Sequence, residues 1–218
     1  MAEILDCSAQ SLARAADVLR SGQLVAIPTE TVYGLAADAS NGKGVAAIYE
    51  AKGRPSFNPL IAHVADMDMA EGVAVFDPMS RHLAERFWPG PLTLVLPLKE
   101  GSNVSSLVTA GLSTIGVRCP KGPAGELIRL LGHPLAAPSA NSSGRISATS
   151  AAAVQDDLGM RIPMILDGGA SPVGVESTIV KVEAGIVRLL RPGGISAREI
   201  EAAVGQPVER ADQRAAIE

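Results

Sequence analysis

Two polar clusters in the first third of the chain hold residues suited to chemistry, and each adjoins an apolar segment. Residues 28–35 (PTETVYGL) place two hydroxyls, a carboxylate and a phenol directly after an apolar run. Residues 52–60 (KGRPSFNPL) hold Lys52, a point charge, and Arg54, a planar fork suited to phosphate oxygens. Because open α/β sheets bind ligands at the carboxyl ends of their strands, we interpret both clusters as candidate binding segments.

Two further clusters combine a rigid turn with a candidate carboxylate clamp. Residues 88–93 (WPGPLT) contain the single tryptophan, which we interpret as packing on the sheet at a turn. In residues 114–120 (TIGVRCP), alternation places Thr114, Gly116 and Arg118 on one face of a strand. An arginine at the end of that face is suited to bidentate binding of a carboxylate, although a surface ion pair is the commoner use of a lone arginine.

The last clusters supply hydroxyls, an amide and another arginine. Residues 136–147 (AAPSANSSGRIS) are small and polar, which lets the backbone approach a ligand closely. Residues 174–180 (GVESTIV) and 189–193 (LLRPG) place hydroxyls and Arg191 at strand boundaries. Each cluster alone is explained by an ordinary turn or solvated loop. Six clusters at strand ends of an acidic protein together predict a concave site for a multiply charged ligand.

Established phosphate-binding and nucleophile motifs are absent from the sequence. Neither GxxxxGK followed by Ser or Thr nor GxGxxG occurs, and residues 169–173 (GASPV) have Val173 where a nucleophile elbow requires glycine. Cys7 and Cys119 are too few for a disulfide framework, and the three histidines lack metal-ligand spacing, so we predict no metal site. Any nucleotide must therefore be held by side chains and by another kind of loop.

The composition is that of a folded, acidic protein. Of 218 residues 47% are hydrophobic, which excludes a disordered chain, and the net charge of -4 gives no general affinity for nucleic acid. Aromatics are 3%, so the core must consist of Ala, Val, Leu and Ile, which favours helices packed on a sheet. The N-terminus lacks a signal-peptide pattern and no run of about 18 apolar residues occurs, so we expect a cytoplasmic protein without membrane contact.

Hydrophobic periodicity predicts helices and strands without strict alternation. The predicted helices span residues 8–21, 45–51, 78–87, 125–131, 149–158 and 197–204. The predicted strands span residues 24–27, 60–64, 92–96, 114–119, 164–166, 178–182 and 186–190. A hairpin at Ala184-Gly185 and the irregular order favour one mixed α/β sheet. We assign residues 1–204 to this domain and the polar residues 205–218 to a linker-like tail.

Seven motifs follow one another along the chain: PTETVYGL (28–35), KxRP (52–55), NPLIxH (58–63), WPGPLT (88–93), PSxN (138–141), GVEST (174–178) and RPG (191–193). Together they closely resemble the YrdC/Sua5 family of threonylcarbamoyl-AMP synthases. The resemblance implies a twisted mixed α/β sheet with helices around a deep, positively lined cavity. It also implies a nucleotidyltransferase that forms L-threonylcarbamoyladenylate and pyrophosphate from L-threonine, bicarbonate and ATP, for the t6A modification at position 37 of tRNA.

The same resemblance implies roles for individual residues. The expected threonine subsite comprises Thr31, His63, Arg118, Ala137 and Ser177. The expected nucleotide subsite comprises Arg54, Asn58, Thr114, Ser139, Asn141, Ser147 and Arg191. Lys52 and Arg54 are the expected catalytic cations, acting with Mg²⁺ that accompanies ATP, and His63 is a candidate base by residue type alone. The product would pass to a tRNA threonylcarbamoyl transferase, with weak or no direct tRNA binding.

Two departures from the family pattern leave alternatives open. Residues 145–149 (RISAT) lack the proline that the family usually has after this serine, which puts the rigidity of the loop in question. Longer Sua5-type members add a linker tyrosine and a second domain, whereas the tyrosines here are Tyr33 and Tyr49. The chain is therefore expected to be either a short single-domain member or, preferentially, the catalytic domain of a Sua5-type protein.

Two other functions share part of the sequence evidence. A carbamoyladenylate-forming relative would use carbamoyl phosphate, but the zinc-finger and acylphosphatase modules of such proteins are absent from this sequence. A non-catalytic RNA-binding factor would use the same cavity, but the acidic net charge and sparse aromatics disfavour it. Threonine-dependent release of pyrophosphate separates these hypotheses from the synthase.

Overall fold

The computed structural model describes residues 1–210. Within this range the strands are β1 Glu3–Asp6, β2 Val25–Ile27, β3 Gly34–Asp38, β4 Ile61–His63, β5 Leu92–Pro97, β6 Thr114–Arg118, β7 Leu135–Ala136, β8 Met164–Asp167, β9 Thr178–Glu183, β10 Ile186–Arg191 and β11 Glu209–Arg210. The helices are α1 Ala9–Arg20, α2 Gly42–Lys52, α3 Met67–Val73, α4 Pro78–Phe87, α5 Ser106–Thr109, α6 Pro123–Leu131, α7 Ala151–Leu158 and α8 Ala197–Val204.

Capping side chains fix the starts of the helices that the sequence predicts best. Ser8 caps α1, Asp77 caps α4, and Ser196 caps α8 in a capping box with Glu199. Such caps satisfy backbone N–H groups that have no partner inside the helix and contribute about 1 kcal/mol each. The observed bounds of α4 and α8 equal the predicted ones, and α1 differs by one residue at each end.

The strands form one mixed sheet in the order β1-β8-β2-β3-β7-β4-β6-β5-β9-β10-β11. The sheet contains both parallel pairs (β1 with β8, β8 with β2, β4 with β6, β5 with β9, β10 with β11) and antiparallel pairs (β2 with β3, β3 with β7, β7 with β4, β6 with β5, β9 with β10). The antiparallel pair β9–β10 turns through Ala184 and Gly185, which confirms the predicted hairpin, and both residues have positive φ. The predicted fold class is therefore confirmed.

Small aliphatic side chains fill two hydrophobic clusters. Successive residues of β2 alternate between them, with Ala26 in one cluster and Ile27 in the other, so both faces of this strand are covered. Helices α1 and α6 supply Leu12 and Leu127 to the smaller cluster, whereas α2 supplies Ile48 to the larger one. A sheet covered on both faces is the arrangement that the composition favoured.

Several short elements escaped the sequence prediction. No strand was predicted between residues 27 and 60, but residues 34–38 form β3, a fully buried strand held between β2 and β7. The strands β1, β7 and β11 and the helices α3 and α5 were also unpredicted.

The linker-like tail was predicted over residues 205–218. Its first part contains β11, which pairs parallel with β10, and residues 211–218 lie outside the described residues. The division into domain and tail stays a prediction. Among residues 1–210, no helix has the length and apolar character needed to cross a membrane.

Candidate active site

A cavity of about 270 Å³ lies against β4, β5 and β6 and is bordered by loops from the predicted clusters. Nine of the thirteen predicted site residues line it: Thr31, Arg54, His63, Thr114, Arg118, Ala137, Ser139, Ser177 and Arg191. These residues come from motifs spread over most of the chain. The sheet order, which sets β4 beside β6 and β6 beside β5, brings them together.

Strand alternation decides which side chains reach the cavity. On β6, Thr114, Gly116 and Arg118 line it, whereas Ile115 and Val117 are buried in the core, which confirms the predicted faces. At Gly116 a Cβ would lie 3.5 Å from two side-chain carbons, in ordinary van der Waals contact. Glycine here therefore keeps the cavity wall open rather than relieving a clash.

The most buried end of the cavity contains a guanidinium and an imidazole. Nη2 of Arg118 lies 2.8 Å from Oε2 of Glu30, and these side chains are 4% and 9% exposed. Neither ring nitrogen of His63 has a hydrogen-bond partner in the described chain. Burial holds the pKa of His63 well below its ordinary value of 6.5, and the charge of Arg118 acts in the same direction. A neutral imidazole beside a cation suits a ligand with an anionic group.

Hydroxyl groups line the wall between the two ends of the cavity. Oγ1 of Thr31 lies 3.0 Å from Oγ1 of Thr29, and Oγ of Ser177 lies 2.7 Å from Oγ1 of Thr93. All four side chains are buried. Hydroxyls both donate and accept hydrogen bonds, so this wall can bind polar groups without adding charge.

Two partly exposed arginines form the more open end. Arg191 donates from Nε and Nη2 to the carbonyl oxygen of Ser177 at 3.1 and 2.9 Å. Arg54 donates from Nη2 to the carbonyl oxygen of Pro59 at 3.1 Å. Burial lowers the pKa of both arginines, which nevertheless remain protonated. This end can therefore bind a second, more solvent-accessible anionic group.

Lys52 does not line the cavity and lies behind one of its loops. Its Nζ donates to the carbonyl oxygens of Ser139 and Asn141 at 2.6 and 2.5 Å, and the residue is 3% exposed. Burial, followed by the charge of Arg54, lowers its pKa to about 8. The ammonium group thus holds the loop that carries Ser139 at the cavity wall.

The other three predicted residues that do not line the cavity support its edges. Asn141 donates from Nδ2 to the carbonyl oxygens of Ser142 and Arg145 in its own loop. Ser147 donates from Oγ to Oε1 of Glu176 at 2.8 Å. The carbonyl oxygen of Asn58 accepts from the hydroxyl of Tyr49 at 3.1 Å. Their contact with a ligand stays a prediction.

The sequence analysis missed two carboxylates at the site. Glu176 lines the cavity, where its Oε2 lies 3.6 Å from Nη2 of Arg191, and Glu30 pairs with Arg118. Both residues belong to motifs named in the sequence analysis. They were not predicted as site residues because carboxylates repel the anions that this site was expected to bind. The hydroxyl of Thr93 was also missed, although strand alternation with two leucines signals its position. Across residues 1–210, no three His, Cys, Asp or Glu side chains are grouped to hold a metal ion.

The fold and the cavity define an α/β protein with a cavity lined by three arginines. The model of the Sua5/YciO/YrdC family, described as "Telomere recombination", matches residues 17–193. The chain belongs to this family.

Two curated relatives and one solved structure are similar over most of this chain. The threonylcarbamoyl-AMP synthase of Bacillus subtilis is 52% identical over 196 residues, which cover 89% of this chain and 56% of the relative. That of Pyrococcus abyssi is 50% identical over 194 residues, covering 88% and 56%. The crystal structure of P. abyssi Sua5 complexed with L-threonine has a TM-score of 0.91 and 45% identity, covering 96% of this chain and 62% of that one. The chain thus spans little more than half the length of these curated relatives.

Proposed function

We propose that this chain catalyses the synthesis of L-threonylcarbamoyladenylate, with release of pyrophosphate, from L-threonine, bicarbonate and ATP. The observation that carries the proposal is the division of the cavity into a buried end with Arg118 and His63 and a more open end with Arg54 and Arg191. An amino acid carboxylate and a nucleotide phosphate are two anions of different size that need such separate cations. Identity of about half the residues to two synthases supports the same reaction.

L-Threonine is proposed to bind at the buried end. Arg118 would hold its carboxylate, because a guanidinium matches two carboxylate oxygens. The rest of this end is lined by the hydroxyls of Thr31 and Ser177, the neutral imidazole of His63 and the backbone of Ala137. P. abyssi Sua5, which is 45% identical to this chain, has been solved with L-threonine bound.

ATP is proposed to occupy the more open end. Arg54 and Arg191 would offset phosphate charge, with Thr114 and Ser139 as neutral partners on the cavity wall. Asn58, Asn141 and Ser147 would complete this subsite from its edges. Mg²⁺ is proposed as part of the substrate, entering on the phosphates of ATP.

The reaction needs positioning and charge stabilisation rather than a protein nucleophile. The amine of threonine would attack the carbon of bicarbonate, forming a C–N bond and releasing water. An oxygen of the resulting N-carboxylate would then attack the α-phosphorus of ATP, and the bond to the β-phosphate oxygen would break to release pyrophosphate. Arg54 and Arg191 would stabilise charge on the phosphates in this step. Lys52, which holds the Ser139 loop, would act through that loop and through its positive charge.

The product contains a labile mixed anhydride, so a rapid acceptor reaction must follow. We propose that a tRNA threonylcarbamoyl transferase receives it for t6A formation. The acidic net charge of -4 agrees with weak or no direct binding of tRNA by this chain.

The test is release of pyrophosphate by the purified chain with ATP, Mg²⁺ and bicarbonate, with and without L-threonine. The proposal expects release that depends on both L-threonine and bicarbonate, and a new adenylate that consumes the threonine. Release that is unchanged without threonine, or that requires carbamoyl phosphate instead, would refute it. The variant Arg118→Ala should lose most of the threonine-dependent release of pyrophosphate while still binding ATP.

A further inference from the structure

We propose that Glu30 is a positioning residue of the amino acid subsite, whose carboxylate holds Arg118 and offsets its charge without touching the substrate. The inference rests on the proposed function, since it assigns the substrate carboxylate to Arg118. It extends that function to a residue that contacts the guanidinium but does not line the cavity.

Both partners of this ion pair are held at fixed points of the fold. Oε2 of Glu30, in the loop after β2, lies 2.8 Å from Nη2 of Arg118, the last residue of β6. The same oxygen accepts from the backbone N–H of Lys121 at 3.1 Å. Arg118 also donates from Nε to the carbonyl oxygen of Gly90 at 3.3 Å. The guanidinium is therefore restrained by two contacts within the protein, one to Glu30 and one to Gly90.

The pair leaves hydrogen-bonding capacity for a ligand. Nη2 of Arg118 is close to Glu30 but lacks an aligned hydrogen bond to any described atom, and both ring nitrogens of the neighbouring His63 are also unpartnered. Arg118 and His63 line the cavity, whereas Glu30 does not. Glu30 thus contacts Arg118 from outside the set of residues that line the ligand space.

Burial explains why such a partner is needed. A guanidinium with 4% of its side chain exposed is costly without a counterion before the substrate arrives. A carboxylate outside the cavity supplies that counterion and orients the donors toward the substrate. Removing residues that orient metal ligands lowers affinity by about 10- to 100-fold, and we expect an effect at the lower end of that range for a partner that orients a guanidinium.

Glu30→Gln removes the charge with almost no change of shape, and its amide oxygen can still accept from the N–H of Lys121. We expect the Kd for L-threonine, measured by calorimetry, to rise about 10-fold. The Kd for ATP should stay within about twofold, because Arg54 and Arg191 are unaffected. L-Threonine amide, which lacks the carboxylate charge, should bind the wild type and the variant alike. Glu85→Gln, an exposed change on α4, is the matched control and should alter none of these values.

The possible outcomes distinguish a failure of this inference from a failure of the proposed function. If the wild type does not bind L-threonine, the proposed function fails and the inference fails with it. If the wild type binds L-threonine but Glu30→Gln binds it equally or more tightly, the inference alone is overturned. A parallel loss of affinity for ATP and for the amide would also overturn it, since that is the result of general structural damage. Should Glu30→Gln not fold, Glu30→Asp, which keeps the charge but shortens its reach, must weaken L-threonine binding selectively for the inference to stand.

Discussion

Gly193 is a position where one added methyl group should disturb the cavity through the backbone. A Cβ at this residue would lie 2.3 Å from the carbonyl oxygen of Glu176, and 2.5 Å from the carbonyl carbon of Ser177 and the amide nitrogen of Thr178. Contacts below 3.0 Å essentially never occur for a real Cβ. Gly193→Ala must therefore move one of two backbone segments by about 0.7 Å, and neither segment is a flexible side chain.

The loss of stability expected for Gly193→Ala follows from the hydrogen bonds between the two backbone segments. Gly194 donates from its N–H to the carbonyl oxygen of Glu176 at 3.1 Å, and Arg191 donates twice to the carbonyl oxygen of Ser177. Overpacking costs about 1–3 kcal/mol and each weakened hydrogen bond about 1 kcal/mol. We expect a loss of about 3 kcal/mol in the free energy of unfolding. In a chain of this length that lowers Tm by about 6–12 °C.

Thermal unfolding of Gly193→Ala against Gly72→Ala measures this effect. Gly72 lies in α3, and a Cβ there would have no heavy atom within 4 Å, so the control should be neutral or more stable by up to about 1 kcal/mol. Because Ser177 lines the cavity, Gly193→Ala should also weaken L-threonine binding, which the control should leave intact. A Tm within about 2 °C of the wild type would show that the backbone accommodates the methyl group and refute the reasoning.

Three other changes test separate parts of the site. Because burial keeps the pKa of His63 well below 6.5, the unfolded chain takes up a proton below that pH while the native chain does not. Protonation of His63 in the unfolded chain should thus lower the free energy of unfolding by about 1 kcal/mol between neutral pH and pH 5.5. The Tm of His63→Gln should therefore fall less with decreasing pH than that of the wild type. An equal fall of Tm in both proteins would contradict this. Gly116→Val should place methyl groups in the cavity and so raise the Kd for L-threonine about 10-fold or more, measured by calorimetry. Its Tm, measured by thermal unfolding, should change little. Lys52→Met should leave the carbonyl oxygens of Ser139 and Asn141 without their donor and lower the free energy of unfolding by about 1–3 kcal/mol. It should also raise the KM for ATP in the pyrophosphate assay. An unchanged KM would argue against a role of Lys52 in holding this loop.

The sequence predicted the long elements because they depend on local chemistry, and it singled out the motifs whose residues border the cavity. Helix α4 is defined by its Asp77 cap and an apolar stripe, and its bounds were predicted without error. The cavity face of β6 follows from alternation alone. By contrast, β3 (GLAAD) has no β-branched or aromatic residue, and only its pairing with two neighbouring strands makes it a strand.

The parts of the site that escaped prediction depend on contacts between distant segments. The reach of Lys52 to carbonyl oxygens 87 and 89 residues away cannot be inferred from its neighbours in sequence. Glu30 and Arg118 are likewise brought together only by the sheet order. A motif shows that a residue matters, whereas the packing decides whether it faces the ligand or supports a residue that does.

Charge compensation explains how an acidic protein keeps three arginines at one cavity. Removing a guanidinium from water without a partner is costly, most of all for the buried Arg118, and here each of the three arginines has an acceptor in the protein. Arg118 is paired with Glu30, Arg191 lies near Glu176, and Arg54 donates to the backbone carbonyl oxygens of Asn58 and Pro59. Substrate anions therefore share or replace existing contacts instead of neutralising isolated charges. Affinity is then the difference between two sets of contacts, so the cavity can favour anions that fit its geometry over small anions that only match its charge.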